Sequence, residues 1–328
     1  MSIRSRITGV LSSCCVLLLA AVGTAAHAQS GAYPAKPVRI VVPFAPGGGV
    51  DVTARILAQR LTERTGQSFF VENRTGASGI IGVEHVAKSP PDGYTLLVGS
   101  QTTQAVVPAI YKVSYDTARD FAPVTVIATS PLLIVVHPSL PVKSVKDLIA
   151  LAKARPGQLT FGAAAGGTPH MAGELFKLMA RVDMLFVPYK GEGPAVNDTM
   201  GGQISMVFSN LPVVLPHARS GRLRPVAVTT AQRVSTAPDI PTVAESGLPG
   251  FEAATWFGLV APAAVPRDII VRLNAESAAA LNVPEVKERM AAQGLFVVAN
   301  SVEQFADLLK SEIPRWAKVV KDAGIKPQ

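Results

Sequence analysis

"VRIVVPFAPGGGVDVTARILAQRL", residues 38–61, decides the fold class. A β-rich run at 38–42 ends in Pro43-Phe44-Ala45-Pro46 and three glycines. A helical pattern follows, with Ile56, Leu57 and Leu61 on one face. Glycine loses more backbone freedom on folding than any other residue, so three between a strand and a helix need a reason. A helix start exposes unpaired N–H groups and the positive end of the dipole. Glycine lets an anion approach that backbone with no side chain in the way. Asp51 stands in the first turn, where a carboxylate caps N–H groups. No Gly-Lys-Ser/Thr follows for a P-loop, and no third glycine falls in register for a dinucleotide fingerprint. The turn therefore suits a small anion better than a nucleotide; the plain alternative is a glycine-rich turn with no ligand.

The alternation continues along the chain. Strands are expected at 69–71, 95–98, 124–127, 132–136, 159–163, 184–187, 204–208, 224–228 and 255–260. Helices are expected at 50–64, 80–88, from Ser144 to near Pro156, at 169–179, 195–200, 267–281 and 302–322. Ser144 with Asp147 three residues later resembles a capping box. Such alternation means an α/β fold, with parallel sheets wrapped by helices. One series ends near Ile127 and a second runs from Leu132 to Val228. A single doubly wound domain accommodates both. So do two lobes joined by two crossing strands, with the C-terminal helices on the first lobe. In either case ligands bind beyond the carboxyl ends of the strands.

Arg4 and Arg6 precede an apolar run at about 10–22, and Ala26-His27-Ala28 follows. This pattern is that of a secretory signal peptide cleaved after Ala28, and the run is shorter than the roughly 20 residues of a membrane span. Cys14 and Cys15 lie in that segment, so the mature chain has no thiol and needs a large apolar core instead. About 300 residues, 48% hydrophobic over the whole chain, supply one. Beyond residue 28 there are 29 basic and 23 acidic residues, a net charge of +6. The excess is dispersed, with no aromatic-plus-basic clusters, which suits weak attraction for anions and not a nucleic-acid surface.

Five further stretches end strands. "NRTGASGIIG" (73–82) places Gly76 and Gly79 around Ser78, with Arg74 as an anion clamp or a solvated charge. Ile80 stands where a nucleophile elbow requires glycine. "FGAAAGGTPHMAGELF" (161–176) repeats the first motif: Ala165, Gly166 and Gly167 precede Thr168, a natural N-cap, and Pro169, a natural first helical residue. His170 and Glu174 share a helix face, too few ligands for a metal site on their own. "VPYKGEGPA" (187–195) offers the Tyr189 hydroxyl and ring and the Lys190 cation, and 208–210 ends another strand at Asn210. Residues 99–102 add small polar donors, Ser100 among them. Each loop alone reads as an ordinary turn; together they fall at strand C-ends in both series.

Six stretches together resemble the Bug family, the extracytoplasmic solute receptors of tripartite tricarboxylate transporters: "YPAKPVRIVVPFAPGGGVDVTAR", "VENRTGASGIIGVEHVAKSPPDGYTLLVGS", "GTPHMAGELF", "VPYKGEGPAVNDTMGGQI", "LRPVAVTTAQR" and "PTVAESGLPGFEAATWFGLVAPAAVP". The resemblance implies a two-lobed type II periplasmic-binding-protein fold with the ligand cleft between the lobes. The first lobe would comprise 29–127 and 232–328, the second 128–231. It also implies a carboxylate held by backbone groups of Phe44, Ala45, Pro46, Gly47 and Gly48 near Asp51, with Ser78 and Ser100 beside them. Ala165, Gly166, Gly167, Thr168 and His170 would face these, with Tyr189, Lys190 and Asn210 around. The chain is then a periplasmic, monomeric receptor without cofactor, metal or catalysis. It binds no nucleic acid and closes by hinge motion to hand a small carboxylate to a membrane permease. An exported hydrolase lacks a nucleophile motif here; a ligand-sensing partner of a signalling protein shares the fold and stays open.

Overall fold

The computed structural model describes residues 33–326. The expected signal peptide and both cysteines lie outside the described residues. From Lys36 onward the chain forms one compact unit. Its strands run in the order β2-β1-β3-β9-β4-β7-β5-β6, with β8 and β10 also paired to β4. They are β1 (Val38–Val42), β2 (Phe69–Asn73), β3 (Thr95–Ser100), β4 (Phe121–Val136), β5 (Thr160–Ala164), β6 (Leu185–Tyr189), β7 (Met206–Asn210), β8 (Arg224–Val228), β9 (Ala254–Pro262) and β10 (Phe296–Val297). The β1–β2, β1–β3, β5–β6 and β5–β7 pairs are parallel, as strand–helix alternation requires.

The 16-residue β4 joins the two series. Residues 121–131 pair with β9, and residues 132–136 lie between β7 and β8. The expected strands at 124–127 and 132–136 are thus one strand. Pro131 stands at the last β4–β9 pair, where the ladder ends, so its missing N–H costs little. Alongside β4, β8 and β9 run end to end. Thr229 donates its N–H to Leu132 O (3.0 Å) and accepts that of Ala253 (2.9 Å), across the excursion at 230–252.

One core contains Val41, Leu97, Val126, Val260, Phe305 and Leu309. A second contains Ile134, Phe161, Phe176, Phe208, Phe251 and Trp316. The final helix, Val302–Asp322, therefore packs into the first core with Phe305 and into the second with Trp316 and Val319. Val243, Leu248 and Phe251 share the second core as well, so the cores do not follow a boundary at 231/232. Two helices of eight or nine residues go unannounced by periodicity, Leu211–Arg219, which contains Pro212 and Pro216, and Pro284–Ala291, as do the shorter helical segments Thr102–Val106, Val107–Ile110 and Thr117–Asp120. Among the described residues no helix is long and apolar enough to cross a membrane.

Candidate functional site

Two loops, one in each half of the sheet, have the same construction. In the first, Gly47 has φ +89° and Gly48 is the N-cap of the Gly49–Thr65 helix, at φ −79° and ψ 167°. In the second, Gly166 has φ +74° and Gly167 caps the Thr168–Ala180 helix at φ −77° and ψ 162°. The left-handed residue in each turn is the one that only glycine adopts readily. Neither helix start has a side-chain cap. Ser144 and Ser301 do accept backbone N–H groups at their helix starts, Ser301 in a capping box with Gln304, whereas the helices that start at Arg267 and Pro284 are uncapped as well. A missing cap costs roughly 1 kcal/mol. The first N–H groups of an α-helix have no intrahelical acceptor. Such groups belong to Gly49–Asp51 and to Thr168 and His170; Pro169 has none.

Each loop is braced from behind by the side chain four residues on. Gly47 N–H donates to Asp51 Oδ2 at 2.9 Å, and Gly166 N–H donates to His170 Nδ1 at 3.1 Å. Asp51 also accepts from Arg55 Nε (2.9 Å) and Asn73 Nδ2 (2.8 Å), and that amide bonds Phe44 O at 2.9 Å. Burial works to raise the Asp51 carboxyl; the bonds from Arg55, Gly47 and Asn73 outweigh it and hold the group below the usual carboxylate range. His170 stacks on Phe186 with ring centroids 3.7 Å apart. Burial, aided by the Lys177 charge, pushes its pKa down to about 4, so the ring is neutral, with its proton on Nε2. Lys177 Nζ pairs with Glu174 at 2.9 Å.

Both loops open on one cavity of about 1010 Å³. Phe44, Ala45, Pro46, Gly47 and Gly48 line it from one side, with Ser78 and Ser100. Ala165, Gly166, Gly167, Thr168, Tyr189, Lys190 and Asn210 line it from the other. Asp51 and His170 do not; both are buried behind their loops. Arg74 is absent from the wall too and pairs with Glu72. The Tyr189 hydroxyl donates to Asp198 Oδ2 at 2.6 Å, and its ring packs beside Gly162. Burial and the Asp198 charge push its pKa up to about 12. The Thr102 and Thr168 hydroxyls, both of residues that line the cavity, are in contact at 3.4 Å.

The structure adds wall residues that no local pattern announced. Ser130 and Thr255 bring hydroxyls from the crossing strands, and the Thr255 hydroxyl is buried with no partner. The Phe257 ring backs Gly49, whose absent Cβ would lie 2.9 Å from it. Glu192 is a carboxylate on the wall. It accepts from the Ser209 hydroxyl, from Asn210 N–H (2.8 Å) and from Asn210 Nδ2. Among the described residues the lining holds one cation, the exposed Lys190.

Residues 53–325 match the family model described as "Tripartite tricarboxylate transporter family receptor". The chain belongs to this receptor family. Protein BugT of Bordetella pertussis is 41% identical over 313 residues, covering 94% of this chain and 96% of its own. Among solved structures, "R. palustris Rpa4515 with adipate" is 43% identical, with a TM-score of 0.79, over 90% of this chain and 100% of its own. "MatC (Rpa3494) from Rhodopseudomonas palustris with bound malate" is 31% identical, with a TM-score of 0.75, over 88% and 100%. The receptor shares the α/β fold of these periplasmic binding proteins, and its family comprises solute receptors, not enzymes.

Proposed function

We propose that this receptor captures a small carboxylate between the two glycine loops and delivers it to a tripartite tricarboxylate-type permease. The observation that carries the reading is the pair of uncapped helix starts facing one cavity, each held in shape by a side chain behind it. A hydrogen bond to a charged group contributes roughly 1.5–3 kcal/mol, so several backbone donors offset the several kcal/mol of carboxylate desolvation without an arginine clamp. Adipate and malate in the two R. palustris relatives support the same ligand class. The ligand-facing set is Phe44, Ala45, Pro46, Gly47, Gly48, Ser78 and Ser100 with Ala165, Gly166, Gly167, Thr168, Tyr189, Lys190 and Asn210; Asp51 and His170 act through the loops.

We further assign 29–127 with 232–328, and 128–231, to two lobes that close about the crossing strands at Leu132 and Thr229, with 243–253 and the end of the final helix buttressing the second. The protein acts as a periplasmic monomer after cleavage at Ala28. A thermal-shift screen of residues 29–328 against mono- and dicarboxylates tests the ligand class. A ligand at a hundredfold excess over Kd stabilises by about 2.7 kcal/mol. No shift with any acid at millimolar concentration overturns it.

A further inference from the structure

Among the described residues Glu192 is the one carboxylate on the cavity wall, and its surroundings are those of a bound anion. Its Oε2 accepts from the Ser209 hydroxyl and from Asn210 N–H at 2.8 Å, and its Oε1 accepts from the Asn210 side-chain amide. Ser209 is 1% exposed, so its hydroxyl has been withdrawn from water for this contact. The Asn210 amide turns its NH2 toward Glu192 and leaves its own Oδ1 buried without a donor. Those three donors stand at the start of the Leu211–Arg219 helix, where an incoming anion would be favoured. They are already satisfied by the chain's own charge. A ligand gripped at the two glycine loops therefore meets a fixed negative charge on the second-half wall. Like charges held close together in a partly desolvated site disfavour one another strongly.

We propose that Glu192 is a specificity-determining residue: it occupies the position a second ligand carboxylate would take at Ser209 and Asn210, and so selects ligands carrying a single carboxylate. This rests on the carboxylate reading above. An uncharged hydrogen-bond donor, such as a carboxamide, is accommodated beside Glu192; a second carboxylate is not.

The test is calorimetry with matched pairs in which one carboxylate is replaced by a carboxamide, succinate with succinamate and adipate with adipamate. In the wild-type protein the half-amide of a pair that binds is expected to bind at least fivefold tighter than the dicarboxylate. Glu192→Gln keeps the shape and removes the charge, and should bring the ratio within twofold of unity. Glu192→Ala is a second variant, and circular dichroism checks that each is folded. Ser209→Ala retains the carboxylate and should retain the preference. A wild-type preference for the dicarboxylate, or a ratio unchanged by removal of the charge, overturns the role of Glu192 and leaves the carboxylate reading standing. Loss of the preference in Ser209→Ala as well would assign it to packing and also overturn the role. Should none of these four bind, the matched pair is built on the acid that shifts the melting temperature in the thermal-shift screen; failure of every acid in that screen overturns the carboxylate reading itself, and this proposal with it.

Discussion

Asp51 holds Gly47: its carboxylate, 2% exposed, accepts the Gly47 N–H at 2.9 Å from the buried side of the loop. The same carboxylate collects Arg55 and Asn73, and Asn73 ties down Phe44 O. Asp51→Ala removes the acceptor shared by the Gly47 N–H, the Asn73 amide and Arg55; Gly47 is exposed and Asn73 half-buried, so water replaces part of what is lost and a cost of about 1–2 kcal/mol is expected. Affinity should fall at least tenfold, because the loop loses its shape although no ligand contact is removed. Urea unfolding and calorimetry of one preparation check this. A variant of wild-type stability and affinity would remove Asp51 from any bracing role.

Gly48 and Gly47 make opposite predictions although they are adjacent. At Gly48 the backbone is extended, and an added Cβ would have Ala45 O as its nearest neighbour, 4.0 Å away. Valine adopts that conformation readily, so Gly48→Val should fold normally and block the cavity mouth, weakening carboxylate binding by a hundredfold or more. Gly47 has open space around it but a φ of +89°. Gly47→Val is therefore expected to lower the melting temperature through backbone strain of about 1–3 kcal/mol. Differential scanning calorimetry separates the two: unchanged affinity in Gly48→Val contradicts the placement of the anion at this loop.

The glycine turns are legible because the signals are local. Pro46-Gly47-Gly48 and Gly166-Gly167-Thr168-Pro169 punctuate the chain whatever packs on them. Which way a first-turn side chain points is not local information. Asp51 and His170 belong to the turns by spacing, yet helical Cα–Cβ bonds tilt toward the N-terminus, and that directs both back onto their own loops. Glu192 takes its meaning from donors 17 and 18 residues away, and Ser130 and Thr255 reach the wall only because β4 and β9 pair there. The continuity of β4 is hidden by Pro131, which reads as a break until its place at the end of a ladder is known.

His170 gives the second loop a dependence on pH. The pKa in the folded protein is about 4, against an ordinary value of 6.5, with burial and then the Lys177 charge as the causes. Between these values the unfolded chain binds more protons, so stability rises with pH. This contribution is complete above about pH 6.5 and is lost as pH falls toward 4. A tenfold change in proton affinity corresponds to about 1.4 kcal/mol, so the whole contribution is roughly 3 kcal/mol. Glu174, whose carboxyl is raised by burial against the opposing Lys177, works in the other direction and blunts the effect. Protonating Nδ1 also removes the acceptor for Gly166 N–H, so affinity should decline over the same range. His170→Phe keeps the stack on Phe186 and abolishes the titration. Melting curves from pH 4 to 7 should be flatter for the variant, and a wild-type slope surviving in His170→Phe rules out this histidine as the source.

Glu312 draws together parts of the chain that no sequence pattern connects. Its Oε2 accepts from Trp316 Nε1 at 2.8 Å, Trp256 Nε1 at 3.3 Å and Gln101 Nε2 at 2.5 Å, while Arg315 pairs with Oε1 at 2.9 Å. Gln101 lies between Ser100 and Thr102, both on the cavity wall, so this carboxylate fixes one side of the site from within the core. Truncating a buried charge leaves its partners unpaired. Glu312→Ala strands two indole N–H groups and an amide, and a cost of about 3–5 kcal/mol is expected. Glu312→Gln, which keeps an acceptor, should cost about 1–2 kcal/mol. At about 2–4 °C per kcal/mol for a chain of this size, Glu312→Ala melts roughly ten degrees lower. Trp256 and Trp316 are the only tryptophans in the sequence, so intrinsic fluorescence reads this one cluster. Both variants should shift the emission of the folded protein. Emission and melting temperature that match the wild type in Glu312→Ala would mean that this carboxylate organises neither indole.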